Sequence, residues 1–312
     1  MGKTAEKIAR KAVHAANGAV NLAVLVTVLL LIAFSGYALW DSSQLYQAAN
    51  SAQYGVYKPE ADNETASFGQ LQAVNPEVFA WLTVYGTHID YPVTQAGDNE
   101  KYVNTNVYGD YSLAGSIFLD YRNDANFQDF NSILYGHHME KQTMFGEIGL
   151  FSEKNYFESH PYGNLFYAGA DHGLAFFAFL KTDAYDIDTF TPNIKTAEAR
   201  QEYLRSLLET ALYTRDIPVT ADDHIVLLTT CASDATNGRD ILVAKITDDC
   251  YSDAFNMKAT DKAGGTQTSI DGQKRIGERV PLWAKCTAPV LLLLLLLAIV
   301  FNYKKRRNPP KE

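Results

Sequence analysis

The chain has 312 residues, the length of about two average domains, and carries 27 Lys plus Arg against 36 Asp plus Glu for a net charge of −9. Residues 1–11 hold +3 and residues 285–312 hold +5, which leaves −17 on residues 12–284; so acidic a middle excludes a nucleic-acid binder, which needs a basic face to displace counterions from phosphate. With 47% hydrophobic and 12% aromatic residues, a packed core is expected and disorder of most of the chain is excluded.

The basic segment 1–18, with Lys3, Lys7, Arg10 and Lys11, is followed by residues 19–39, AVNLAVLVTVLLLIAFSGYAL, which hold no charge. At 1.5 Å per residue this run is long enough to cross a hydrocarbon core of ~30 Å as a helix. The positive-inside rule assigns the basic segment to the cytoplasm. A cleaved signal peptide shares the basic start, but the run is longer than a signal core and no small-x-small site stands at its end. Nor does Met-Gly-Lys-Thr-Ala-Glu supply the Ser or Thr that a myristoylation signal needs at its sixth position. Residues 40–73 are polar and mixed, as in a juxtamembrane stalk with one or two helices.

From residue 74 to 256 turn signals alternate with β-rich runs: FAWLTV, HIDYPVT, GSIFLD, SILYG, NLFYAG, LAFFAFLKT, IVLLTT and ILVAKI. Eight such runs predict a mainly β domain built on a closed or nearly closed sheet. A short helix is predicted over Phe151–Ser159. A longer, amphipathic one is predicted over Thr196–Tyr213, where Tyr203, Leu204, Leu207, Leu208, Ala211 and Leu212 recur at helical spacing behind an N-capping Thr196 and Glu198 in the first turn. A polar tether, 257–284, leads to a second uncharged run at 286–303, CTAPVLLLLLLLAIVFNY, and then to the basic tail 304–312. Its seven consecutive leucines offer no polar face to solvent, which argues for a second membrane span rather than a core helix. Both basic ends are then cytoplasmic and the acidic domain is extracellular.

Cys231, Cys250 and Cys286 make no disulfide framework. If IVLLTTC and DILVAKIT pair as a hairpin, Cys231 stands across from about Asp240 and Cys250 lies roughly 30 Å further on, at ~3.3 Å per residue, far beyond disulfide reach. Cys231 is therefore expected to be a free thiol at a strand end, where binding residues gather on rigid scaffolds. A thiol becomes a nucleophile only beside a cation or a base, and Arg239 opens the partner strand. Of the seven histidines, His137 and His138 also follow a strand, SILYG, and because successive extended residues face opposite ways only one of them fits a given cleft. His160, before Pro161, and His224, at a strand start, read as turn or surface residues. No HExxH, paired Cys or carboxylate at ligand spacing accompanies the His pair, so no metal site is expected.

Taken together, ILYGHHM followed by MFG (133–139 and 144–146), LLTTC followed by NGR (227–231 and 237–239), and the upstream VNPEVFAWLTVYGTHIDYPVTQ and AGSIFLDYRN closely resemble a sortase. The likeness runs from about Leu71 to Ile246, and its motif order, His, then a TxTC-like strand, then Arg, is specific. The helix before the Cys strand and the MFG after the His favour class B. The resemblance implies a sortase-type eight-stranded β-barrel with added helices, here flanked by two transmembrane helices. It also implies His137 as the catalytic histidine, Cys231 as the nucleophile, Arg239 as the third member of the triad, and Thr229 and Thr230 beside the substrate. Departures from the family pattern are Ala232 after the cysteine, Thr229 where Ser is common, and the second span, which is more usual in pilin-polymerising sortases of another class. The Asp-Pro-aromatic lid of those enzymes is not found in the stalk.

What the resemblance implies in chemistry is cysteine transpeptidation without a cofactor. A Cys231 thiolate attacks a peptide carbonyl in the C-terminal sorting signal of a secreted protein, Arg239 and backbone N–H groups hold the oxyanion, and His137 protonates the leaving amine. An amine of a cell-wall precursor, or alternatively of a pilin lysine, then resolves the thioester. The expected location is the membrane of a Gram-positive bacterium, with lipid contacted through both spans. A thiol peptidase using water as acceptor shares every catalytic residue, and a non-catalytic adhesin or pseudoenzyme shares the composition and spans; only the Cys231, His137, Arg239 set speaks against the latter.

Overall fold

A computed structural model describes residues 2–59, 66–231 and 237–255. The chain divides into two compact units, one containing residues 1–43 and the other residues 44–266. The first helix, α1 (Gly2–Ala49), is uninterrupted by proline and far longer than its apolar run. Among the described residues it is the one helix long and apolar enough to cross a membrane, and its apolar window is unburied. The second expected span, 286–303, the tether 257–284 and the tail 304–312 lie outside the described residues.

In the second unit the eight sequence runs are eight strands: β1 (Val78–Val84), β2 (Asp90–Thr94), β3 (Ile117–Leu119), β4 (Asn131–Tyr135), β5 (Tyr162–Tyr167), β6 (Ala170–Asp183), β7 (Ile225–Cys231) and β8 (Gly238–Thr247). They form one sheet in the order β8-β7-β4-β3-β2-β1-β5-β6, and β6 pairs with β8 to close it into a barrel. Most neighbours are antiparallel, but β2–β3 and β4–β7 are parallel. Closure removes the two long edges that an open sheet would present and leaves only a short one along the second half of β6.

Alternation along β7 and β8 sorts side chains into two layers. Val226, Leu228, Leu242 and Ala244 belong to the main core with Trp81, Leu134 and Phe176. Ile225, Leu227, Ile241 and Val243 face the other way, into a smaller cluster with Phe130, Phe177 and three residues of α4 (Ala197–Thr210). The α4 start follows the sequence: Thr196 caps it, its Oγ1 accepting from Ala199 N–H at 3.2 Å, with Glu198 in the first turn. Its end does not. The helix stops at Thr210 because the sheet captures the following chain: Leu212 N–H donates to Phe179 O at 2.8 Å and Tyr213–Thr214 pairs with β6. The buried stripe is also narrower than expected, Tyr203, Leu204 and Leu207 being buried while Leu208 and Leu212 are exposed. Burial of Leu204 and of Leu207 contributes roughly 1.5–3 kcal/mol each.

Two further expectations change. The stalk ends as part of the barrel unit: after Asn50, whose Oδ1 accepts from Ala52 N–H, a 3-10 helix (Ser51–Tyr57) buries Tyr54, and α2 (Ala66–Val74) buries Phe68 and Leu71. Phe68 meets Trp81 of β1 and Phe166 of β5 edge-on at 6.4 and 5.5 Å. These apolar side chains lie scattered through polar sequence, which hides their common face. The predicted short helix divides into a 3-10 turn (Ile148–Ser152) and α3 (Lys154–Ser159). His160, read as a turn or surface residue, is buried there, stacked between Tyr156 and Phe255 at 3.9 and 4.9 Å.

Candidate active site

The barrel brings the two motif strands side by side. In the parallel β4–β7 pair Tyr135 stands beside Thr229, and Gly136 N–H donates to Thr229 O at 3.2 Å, extending the pairing one residue past β4. His137 follows two residues after Tyr135, and Cys231 ends β7 two residues after Thr229. On the other flank Cys231 lies directly across from Arg239. That register is one residue from the expected pairing with Asp240, which instead faces Thr230. The shift puts the cation, not a carboxylate, opposite the cysteine position. Three candidates from distant parts of the sequence thus lie in or just beyond the ends of three adjacent strands.

His137 is half-buried, and its Nε2 lies 2.8 Å from the Val103 carbonyl oxygen. A carbonyl only accepts, so this contact requires Nε2–H as the donor. His138 is set apart: it lies in a two-residue strand (His138–Met139) paired with Thr143–Met144, and its buried Nδ1 has no hydrogen-bond partner. Arg239 is half-buried and its Nη1 donates to Gly238 O at 3.1 Å. Thr229 and Thr230 are both buried, with no partner at either hydroxyl. Alternation assigns Thr229 to the face of Arg239, and Thr230 to the opposite face with Asp240, where Lys181 Nζ lies 3.6 Å from the Asp240 carboxylate.

Beneath this edge lies a polar network that sequence reasoning did not single out. Asp120, fully buried just beyond β3, accepts from Arg122 Nε and Nη2 at 2.8 Å each, from Asn99 Nδ2 at 2.9 Å and from the Tyr135 hydroxyl at 3.2 Å. Burial works to raise the Asp120 pKa, but the hydrogen bonds from Arg122 and Asn99 outweigh it and hold the carboxyl below its usual range. Tyr135 is pushed up by burial and by Asp120, against an opposing pull from Arg239. The one available signal was the Asp-x-Arg spacing at a strand end. Cys250 is exposed and unbridged, and burial of part of the thiol together with Asp171 and Asp249 raises its pKa. Among the described residues no three His, Cys, Asp or Glu side chains converge to hold a metal ion.

No protein-family model matches the sequence. The chain is 34% identical over 180 residues to sortase B of Listeria monocytogenes, a match that covers 56% of this chain and 72% of that protein. Among solved structures, sortase B from the type II pilus of Streptococcus pneumoniae is 46% identical and superposes with a TM-score of 0.53 over 59% of this chain and 100% of that one. The Staphylococcus aureus sortase B–substrate complex is 29% identical, with a TM-score of 0.55 over 59% of this chain and 86% of that one. A closed eight-stranded barrel, a histidine just past the strand that pairs with the cysteine strand, an arginine across from the cysteine position and this degree of identity have one common reading: the chain belongs to the class B sortases, which are cysteine transpeptidases.

Proposed function

We propose that the protein is a membrane-anchored, extracellular sortase that cuts a C-terminal sorting signal and passes the acyl group to an amine of a cell-wall precursor. What supports the reading is the register of β4, β7 and β8, which pairs Tyr135, two residues before His137, with Thr229, two residues before Cys231, and sets Arg239 across from Cys231. In the first half-reaction the Cys231 thiolate attacks the carbonyl carbon of the scissile peptide, and Arg239 with nearby N–H groups stabilises the oxyanion. The C–N bond then breaks as His137 gives its proton to the leaving amine, leaving a thioester on Cys231. In the second, an acceptor amine attacks the thioester carbonyl, loses a proton to His137, and expels the Cys231 thiolate. Thr229, on the same face, borders the acyl chain in this reading, and Thr230 shapes the strand from behind. The apolar part of α1 serves as the anchor, with residues 286–303 as a second span and both termini cytoplasmic.

Likeness at 46% identity to a pilus-associated sortase B favours a second acceptor, a lysine amine of a pilin subunit. Both readings require an amine, and a sorting peptide incubated with and without wall-type or pilin-derived amines ranks them. Cys231→Ala and His137→Ala are expected to lose orders of magnitude in rate, whereas Cys250→Ala, lacking only a thiol of raised pKa, retains full activity. Substrate trapped on Cys250 by mass spectrometry, or equal losses for His137→Ala and His138→Ala, would refute the assignment.

A further inference from the structure

Directly after His137 the chain makes a tight hairpin, His138–Met139 against Thr143–Met144. Its backbone is costly. Lys141, Gln142 and Met144 all have left-handed φ, of 58°, 58° and 52°, without being glycine. Such residues persist only where the surroundings hold them. The hairpin also carries His137 directly, since Phe145 N–H donates to His137 O at 3.0 Å.

What holds the hairpin is the last turn of α1. Tyr91, a fully buried residue of β2, accepts from Met144 N–H at 2.9 Å and donates to the Ala49 carbonyl at 2.8 Å, so one hydroxyl joins the strained strand to the helix end. Burial pushes the Tyr91 pKa up to about 12, which keeps that hydroxyl protonated and able to donate. At the hairpin tip, Tyr46 of the same helical turn donates to Glu140 Oε2 at 3.3 Å, and Lys141 Nζ sits 4.2 Å from the centre of its ring. Both ends of the hairpin are thus fastened to residues 46–49.

We propose that Tyr91 is a positioning residue of the transpeptidation, acting with Tyr46 by fixing the hairpin that aims His137. The inference rests on His137 being the acid and base of the reaction. Neither tyrosine touches the reacting atoms, so the effect belongs on the chemical step and not on substrate binding. Tyr91→Phe keeps the ring and deletes only the bridge. Tyr46→Ala, at an exposed position, disturbs the tip without touching the core.

The test uses the full chain in detergent micelles and a fluorogenic sorting peptide with a saturating amine, reading kcat, KM and thermal midpoint for each variant. Thr196→Ala, which removes the cap of the remote α4, is the comparison for lost stability alone. The expected result is a fall in kcat of about tenfold for Tyr91→Phe and about threefold for Tyr46→Ala, KM staying within about twofold, with kcat of Thr196→Ala unchanged. A folded Tyr91→Phe with wild-type kcat overturns the proposal. So does a loss seen equally in Thr196→Ala, or one confined to KM. Should Tyr91→Phe not fold, Tyr46→Ala decides by the same criteria. Failure of the underlying reading looks different: the wild type is then inert on the peptide, or His137→Ala is as active as wild type.

Discussion

Gly136 separates the last residue of β4 from His137, and replacing it by alanine tests why a glycine stands there. Its φ is not left-handed; the obstacle is space. A Cβ on Gly136 would lie 2.6 Å from Ile117 Cδ1 and 2.6 and 2.7 Å from Phe145 Cδ2 and Cγ. Carbon contacts are comfortable at ~3.5–4.0 Å, so the overlap is about 1 Å. Ile117 can turn its terminal methyl aside, but the fully buried Phe145 ring has nowhere to go. Overpacking of this kind costs about 1–3 kcal/mol. Phe145 also bonds His137 O, so its displacement moves the histidine, and a shift of ~1 Å at a catalytic group costs about a hundredfold in rate. Urea denaturation and kcat on a sorting peptide read both effects. The Gly136→Ala, Phe145→Leu double variant should recover part of each, giving a favourable coupling in the double-mutant cycle. An alanine variant as stable and active as wild type would refute the reasoning, as would equal penalties with and without the ring.

The Asp120 network makes the stability of the barrel depend on acid. Because its hydrogen bonds hold the Asp120 pKa below the unfolded value, its contribution is complete above the ordinary aspartate pKa of ~3.9 and is lost as pH falls through the folded value. Arg122→Met should therefore cost about 2 kcal/mol at pH 7, the strength of charged hydrogen bonds reduced because Arg122 is 44% exposed. That gap in urea midpoint should narrow below about pH 4 as the carboxylate is protonated; a constant gap would show that Asp120 is not responsible. Thr196→Ala should lower stability by about 1 kcal/mol, as loss of an N-cap does, and an unchanged urea midpoint would show that the cap contributes nothing.

Much of the barrel is visible in the sequence because strand identity follows from local alternation. IVLLTTC and DILVAKIT each announce a strand, and their separation announces a hairpin. The pairing of β4 with β7 is not local, and nothing in SILYG or IVLLTT specifies that they lie parallel. His137, Cys231 and Arg239 stand out in the sequence through their motifs alone, whereas the register that sets Arg239 rather than Asp240 across from Cys231 is not readable there. Tyr91 was illegible: within HIDYPVT it is an ordinary alternating aromatic, and its hydroxyl gains meaning only from Ala49 and Met144, which are remote in sequence. The end of α4 was misread for a related reason. Leu212 and Tyr213 continue a helical pattern, and it is the free edge of β6 that draws them into the sheet.

The parallel joining of β4 to β7 also governs when the chemistry becomes possible. The β7–β8 pairing joins neighbouring segments and sets Arg239 across from Cys231, whereas β4, the strand before His137, is joined to β7 from far upstream in the sequence. Loops of that length carry an entropic cost before any contact repays it, so barrels with many non-local pairings fold over milliseconds to seconds. On the mechanism proposed above, a chain in which β4 is not yet paired with β7 holds the cysteine and the cation without the base, so reactivity waits on that one long-range pairing.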